Sequence, residues 1–178
     1  VELNVNYLLI ISTSAGLWSY NIGDTIKFTS LEPFRIIVTG RIKHFLSAFG
    51  EHVISEEVEK AMEAATKLHN VAIREFTVAP NINPKEMLPH HEWYVEFESL
   101  PKDMLAFSKA LDKEMTRLNI YYKDLIDGKI LKSLEVISVI RGGFNQYMKS
   151  EGRLGGQNKV PRLSNDRKIA DKLKTIST

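Results

Sequence analysis

The stretch SEEVEKAMEAATKLHNVAIREFTVA, residues 55–79, decides the fold because it changes from a helical to an extended pattern within one segment. Ser55 is a plausible helix N-cap, and Glu56 and Glu57 follow in the first turn, where carboxylates favour the positive end of a helix dipole. Apolar residues then repeat at helical spacing at Val58, Ala61, Met62, Ala65 and Leu68. The sequence therefore predicts a helix that leads directly into a strand at 71–79.

The segments around this stretch extend the same alternation. A short apolar run at 45–49 predicts a strand before the helix, and 92–98 alternates polar and apolar residues like a paired strand. A second amphipathic helix is expected at 104–118 and a further strand at 134–140. The order β-α-β-β-α-β is that of a ferredoxin-like unit, in which two helices cover one face of an antiparallel sheet.

Both ends of the chain add to this unit. After it, the pattern predicts a short helix at 144–151, a glycine-rich loop at 152–156 and a last helix at 165–176. Before it, short strands are predicted between turns that carry Gly, Pro or Asn, namely 7–13, 17–20, 25–29 and 35–39. These strands are too short to close a core of their own. We therefore predict an α+β fold, an α/β sandwich, with a β-rich N-terminal appendage and extra C-terminal helices.

Composition excludes several classes of protein. The 178 residues are 43% hydrophobic and 26% charged, as in globular domains, and no apolar stretch approaches the ~20 residues of a membrane helix. The formal net charge of +2 does not indicate nucleic-acid binding. The absence of Cys leaves no disulfide framework or thiolate nucleophile and suits a cytoplasmic location. Because Val1 is neither an initiator Met nor part of a signal peptide, we expect the chain to derive from a longer one.

Three short motifs could carry chemistry, and each also has a purely structural interpretation. Tyr20-Asn21-Ile22-Gly23-Asp24 is either a strand that ends in a turn or a place where the carboxylate of Asp24 binds a vicinal diol such as a ribose. Gly40-Arg41-Ile42-Lys43-His44 is either a solvated linker or a hinge at an element boundary.

The third motif is Gly155-Gly156-Gln157-Asn158-Lys159-Val160-Pro161-Arg162. Its structural interpretation is a surface lysine in a loop. Its functional interpretation is a mobile Lys159 that stabilises negative charge developing at a reaction centre. Metal binding is not predicted, because the adjacent His90 and His91 would point to opposite faces of a strand.

Three segments carry a family resemblance: LIISTSAGLWSYNIGDTIKFTS at 9–30, GRIKHFLSAFGEH at 40–52 and GGQNKVPRL at 155–163. In this order they resemble the C-terminal portion of bacterial members of the auxin-responsive Gretchen Hagen family. These are acyl acid amido synthetases of the adenylate-forming superfamily that includes acyl-CoA synthetases and luciferase. The resemblance covers nearly the whole chain, whereas the Ser/Thr-rich phosphate loop and acyl pocket of such enzymes have no counterpart in it.

The resemblance implies a role for each motif. Asp24 matches the residue that binds the ribose hydroxyls of ATP, with Tyr20 near the adenine and Arg41 close to the nucleotide. Lys43 matches the hinge, so residues 1–43 would end the large adenylating domain and 44–178 would form the mobile C-terminal domain. Lys159 matches the lysine that bridges the α-phosphate and the substrate carboxylate.

The implied activity has two steps. ATP with Mg²⁺ adenylates a carboxylic acid, and an amine, expected to be an amino acid, then takes the acyl group. Between the steps the domain would turn about Lys43 and bring another face, such as the Gly50-Glu51-His52 turn, to the active site. The implied partner is the N-terminal adenylating domain, without which the fragment should be inactive. The alternative is a non-catalytic ferredoxin-like binding or regulatory module, since fold alone does not set function.

Overall fold

The computed structural model describes residues 1–41, 45–152 and 158–177. It begins with a three-stranded antiparallel sheet in the order β1-β2-β3. The bounds of these strands are β1 Asn6–Ile11, β2 Tyr20–Leu31 and β3 Phe34–Arg41. Of the strand predicted at 17–20 only Tyr20 belongs to β2, whereas β2 includes the whole of the strand predicted at 25–29.

This N-terminal sheet leaves much of its apolar surface uncovered. Among its described residues, Ile26 is the one hydrophobic side chain that is fully buried. Exposures between 42% and 87% are found for Leu8, Ile10, Trp18, Phe34, Ile36 and Val38. The sheet therefore lacks a core of its own, as its short strands predicted.

The rest of the chain is a layered α/β unit. A short hairpin of β4 (Phe45–Leu46) and β5 (Val53–Ile54) leads into helix α1 (Ser55–His69). The central sheet has the order β6-β7-β8. Its strands are β6 Ile73–Asn81, β7 His90–Phe97 and β8 Glu135–Val139. The remaining helices are α2 Met104–Leu118, α3 Ile120–Asp127, α4 Gly143–Ser150 and α5 Lys168–Ser177.

Helices cover both faces of the central sheet, so β7, its middle strand, is buried along all 8 of its residues. Because side chains alternate along a strand, Trp93, Val95 and Phe97 pack in the core formed with α1 and α2. Tyr94 packs instead with residues of α4 and α5. No helix in the described residues is long and apolar enough to cross a membrane.

The predicted α+β class is confirmed. In the described residues, three details of the structure differ from the predicted ferredoxin-like arrangement. The strand predicted at 45–49 is reduced to β4, which pairs with β5 outside the central sheet. β8 lies parallel to β7, because the connection through α2 and α3 is a crossover and not a hairpin. Helices α4 and α5 occupy the second face of the sheet, which the prediction left open.

A buried polar network fixes the turn between β4 and β5. The Nε2 atom of His91 lies 2.9 Å from Oε1 of Glu51, and both residues are fully buried. Asn119 donates from Nδ2 to the backbone oxygen of Glu51 (3.1 Å) and to Oε2 of Glu57 (3.0 Å). Its Oδ1 accepts from the N–H of Tyr122 at 2.7 Å and so caps α3. One amide group therefore joins the turn, α1 and α3.

We predict that Asn119→Ala lowers the free energy of unfolding by about 2–4 kcal/mol, because it removes a helix cap and leaves buried acceptors unpaired. Urea unfolding of the 178-residue chain measures the change. The exposed Asn83→Ala is the matched control and should cost less than about 0.5 kcal/mol. Equal losses for both variants would contradict the assigned role of the network.

A second network attaches the C-terminal segment to the opposite face of β7. Glu92, which is 4% exposed, accepts hydrogen bonds from Arg167 (2.6 Å), the hydroxyl of Tyr94 (2.8 Å) and Nδ2 of Asn81 (2.9 Å). Burial alone would raise the pKa of the Glu92 carboxyl. The hydrogen bonds from Arg167 and Tyr94 and the charge of Arg167 outweigh burial and hold this pKa below the ordinary 4.5.

A depressed folded-state pKa gives stability that is present above the unfolded value and is lost as the pH falls through the folded value. At about pH 7 we expect Glu92→Gln to be less stable than the unmodified chain by about 1.5–3 kcal/mol. The difference should shrink as the pH falls below the ordinary 4.5 and through the lower folded value. Urea unfolding at about pH 7 and over a series of acidic pH values, with the exposed Glu2→Gln as control, checks this. A difference that does not change with pH would show that Glu92 acts through packing alone.

Candidate nucleotide and lysine sites

The segment 20–24 forms a bulge inside β2 and not the predicted turn at a strand end. The register pairs Leu8 with Thr25 and Ile10 with Asn21, so residues 22–24 lie opposite the single residue Leu9. The bulge is possible because Gly23 adopts a φ of +82°. Oδ1 of Asn21 accepts from the N–H of Gly23 at 2.8 Å. Bulges redirect side chains and are frequent beside active sites.

The N-terminal sheet contains three of the residues singled out in the sequence. Asp24 is partly buried and is the cross-strand partner of Arg41, the last residue of β3. Tyr20, at the start of β2, is half exposed. Nζ of Lys27 lies 3.3 Å from Oε2 of Glu56 and so connects the sheet to α1. The backbones of Asp24 and Arg41 are therefore neighbours in the sheet, and Tyr20 lies on the same strand as Asp24.

Two parts of the sequence motifs lie outside the described residues. Lys43 falls between Arg41, where β3 ends, and Phe45, where β4 begins. Gly155 and Gly156 lie between the described segments that end at 152 and resume at 158.

Lys159 is described, and its side chain is exposed. It lines a cavity of about 240 Å³ together with Arg74, Glu75, Glu96 and Phe144. The described lining residues all lie between positions 74 and 160, so none belongs to the N-terminal sheet. In the part of the chain that the structure describes, Lys159 therefore does not share a site with Tyr20 and Asp24.

The Gly50-Glu51-His52 turn is held firmly. Gly50 and His52 have φ angles of +92° and +46°, and Oε2 of Glu51 accepts from the N–H of Phe49 at 2.8 Å. Burial opposes ionisation of Glu51, but the hydrogen bond and charge of His91 lower the pKa of this carboxyl. The partnership of Glu51 with His91 was not predicted, because the two residues are 40 positions apart and follow no local motif.

The histidines of β7 contact different partners. The ring of His91 stacks with the rings of Phe49 and Tyr122, with centroid distances of 6.2 and 5.1 Å. Nε2 of His90 lies 3.3 Å from Oε2 of Glu135, and burial lowers the pKa of the His90 imidazole. Among the described residues, no group of three or more His, Cys, Asp or Glu could hold a metal ion.

Comparison with known proteins shows that two parts of the chain match two known domains. Residues 1–41 match the GH3 family central domain, and residues 56–168 match the GH3 family C-terminal domain. The chain is 28% identical over 178 residues to the indole-3-acetic acid-amido synthetase GH3.4 of Arabidopsis thaliana. It is 26% identical over 179 residues to the indole-3-acetic acid-amido synthetase GH3.3 of the same plant. Each match covers 91% of this chain and 29% of the relative.

Solved structures share the fold at lower identity. The GH3.15 acyl acid amido synthetase superposes with a TM-score of 0.77 at 20% identity, over 100% of this chain and 35% of that protein. A second GH3.15 structure, in complex with 2,4-DB, gives a TM-score of 0.74 at 22% identity, over 100% of this chain and 34% of the other. The chain thus spans about a third of the length of these proteins. Since the C-terminal-domain match alone covers more than half of its residues, the chain belongs to the GH3 family.

Proposed function

We propose that this chain is the C-terminal part of an ATP-dependent acyl acid amido synthetase. The enzyme would adenylate a carboxylic acid and transfer the acyl group to the amino group of an amino acid. The observation that carries the proposal is the order of the two matches, a central domain over 1–41 followed by a C-terminal domain over 56–168. The names of the relatives, which are amido synthetases, support the reaction type.

In this proposal Tyr20, Asp24 and Arg41 bind the nucleotide. The bulge at 22–24 supports this, since it sets Asp24 apart from the regular pleat, and the half-exposed Tyr20 ring on the same strand is accessible to a base. A carboxylate has two acceptor oxygens, which suit the two hydroxyls of a ribose. Mg²⁺ is proposed to accompany ATP in the full-length enzyme, and none of the described residues is assigned to it.

Lys159 is proposed as the residue that stabilises negative charge during adenylation, and Lys43 as the hinge. The exposure of Lys159 and its separation from the N-terminal sheet support a moving lysine. A lysine that serves a nucleotide bound at Asp24 must approach that sheet, which requires the unit after β3 to turn. The amine could then enter once Lys159 has left.

We propose the domain division at residue 43, with 1–43 completing a large adenylating domain and 44–178 moving against it. The uncovered apolar side chains of the N-terminal sheet, such as Phe34, Ile36 and Val38, support a neighbour on this sheet. An exposed apolar edge strand such as β3 invites aggregation unless another element covers it. We also propose a cytoplasmic location, which the lack of Cys suits.

If Asp24 binds the ribose, Asp24→Ala in the full-length synthetase should weaken ATP binding by about 1.5–3 kcal/mol, the usual value of a hydrogen bond to a charged group. Isothermal titration calorimetry with ATP measures the affinity. Asp127→Ala, an exposed carboxylate on α3, is the matched control and should leave it unchanged. An unchanged affinity in Asp24→Ala would remove Asp24 from the site.

The proposed function as a whole is tested by measuring the two half-reactions of the full-length synthetase separately. Lys159→Ala should slow adenylation by about 10²–10³-fold, because it removes one preorganised electrostatic donor. Amide formation from a supplied acyl-adenylate should hardly change. Lys43→Pro should show the reverse profile, since it restricts the turn. The exposed Lys102→Ala is the control. Equal damage to both steps by Lys159→Ala would contradict the assignment.

A further inference from the structure

The chain that follows Lys159 runs along β6, an outer strand of the central sheet. The N–H of Val78 in β6 donates to the backbone oxygen of Arg162 at 2.9 Å, and the N–H of Ser164 donates to the backbone oxygen of Val78 at 3.0 Å. Both hydrogen bonds lie within a few residues of Lys159, whose own side chain is exposed. The backbone at 162–164 therefore ties the lysine to the sheet from its C-terminal side.

The side chain of Arg162 attaches the same segment a second time. It forms an ion pair with Glu75 of β6, and its Nη1 donates to the backbone oxygen of Phe76 at 3.1 Å. Its guanidinium carbon lies 4.5 Å from the centroid of the Phe76 ring, and its Nε lies 3.2 Å from Oε1 of Glu59 on α1. A planar guanidinium with rigidly arranged donors can make these contacts at once, whereas the ammonium group of a lysine cannot. Arg162 is thus fixed between β6 and α1.

The ion pair between Arg162 and Glu75 reaches the cavity that Lys159 lines. Glu75 is the cross-strand partner of Glu96 in β7, an arrangement that is unfavourable for like charges. Two backbone N–H groups at the start of α4 donate to the carboxylate of Glu96, at 2.7 and 3.3 Å. Arg162 supplies the countercharge for Glu75, so the wall of the cavity beside Lys159 depends on this arginine.

We propose that Arg162 is a positioning residue for Lys159: it holds the backbone of the lysine against β6, so that the amino group follows the sheet when the unit after β3 turns. The inference rests on the proposed function, in which Lys159 acts in adenylation. A lysine side chain is flexible, so the region that its amino group reaches is defined only if its backbone is fixed. A misplacement of about 1 Å can slow a reaction by about 10²-fold. Arg162 supplies no charge of its own to the reaction, because its guanidinium is already occupied by β6 and α1.

The test measures the two half-reactions of the full-length synthetase separately. Arg162→Lys keeps the positive charge but loses the planar fork, so it should slow adenylation by about 10–10²-fold and leave amide formation from a supplied acyl-adenylate within about twofold. The unchanged second step also shows that the variant is folded. Glu75→Gln removes the ionic partner without changing the arginine, and should slow adenylation by about tenfold. Arg117→Lys, in an exposed ion pair with Glu114 on α2, is the matched control and should alter neither step.

A double-mutant cycle separates positioning from a general structural role. If Arg162 acts through Lys159, Arg162→Lys should slow adenylation by less than about twofold in the Lys159→Ala background. A full further loss in that background, equal damage to both half-reactions, or unchanged adenylation in Arg162→Lys or in Glu75→Gln would overturn the inference alone. Unchanged adenylation in Lys159→Ala would instead overturn the proposed function, and this inference with it.

Discussion

The burial of β7 on both faces is the constraint on which the rest of the structure depends. This strand carries His90, His91, Glu92 and Glu96 among its apolar residues, and all of them are almost inaccessible to water. A buried ionisable group is costly unless it is hydrogen bonded or paired. Each of these side chains therefore needs a partner from another element, and those partners come from the segments around the proposed site.

The partners of β7 connect distant parts of the chain. His91 holds Glu51 in the turn that follows the proposed hinge. Glu92 holds Arg167, just before α5. Glu96 caps α4, whose first residues line the cavity of Lys159. A domain that turns as one body must keep its loops in place, and these three contacts tie the loops to its most buried strand.

The parts of the fold that follow from local periodicity could be predicted from the sequence. α2 has the predicted bounds, and α1 begins at the predicted Ser55, although Ser55 is its first residue and the cap is Ile54. Glu57 explains this shift, because its carboxylate accepts from the N–H of Ile54 at 3.0 Å. α3 was not predicted; it begins at Ile120, and the single residue Asn119, which caps it, separates it from the end of α2.

What could not be predicted depends on residues that are far apart in the sequence. The parallel pairing of β8 with β7, the bulge opposite Leu9 and the pair of Glu51 with His91 are each set by tertiary contacts. For the candidate site, the motifs identified Asp24 and Lys159 but not the environment of either. Glu75 and Glu96 gave no signal, because their opposition arises only when β6 and β7 pair.

The proposed function gives Lys159 two alternative places. One amino group cannot line the cavity beside Glu96 and also serve a phosphate bound near Asp24, because the two positions belong to different sheets. In the proposed function the lysine leaves the cavity for adenylation and withdraws from the phosphate before the amine enters, so the turn of the domain sets the order of the two steps.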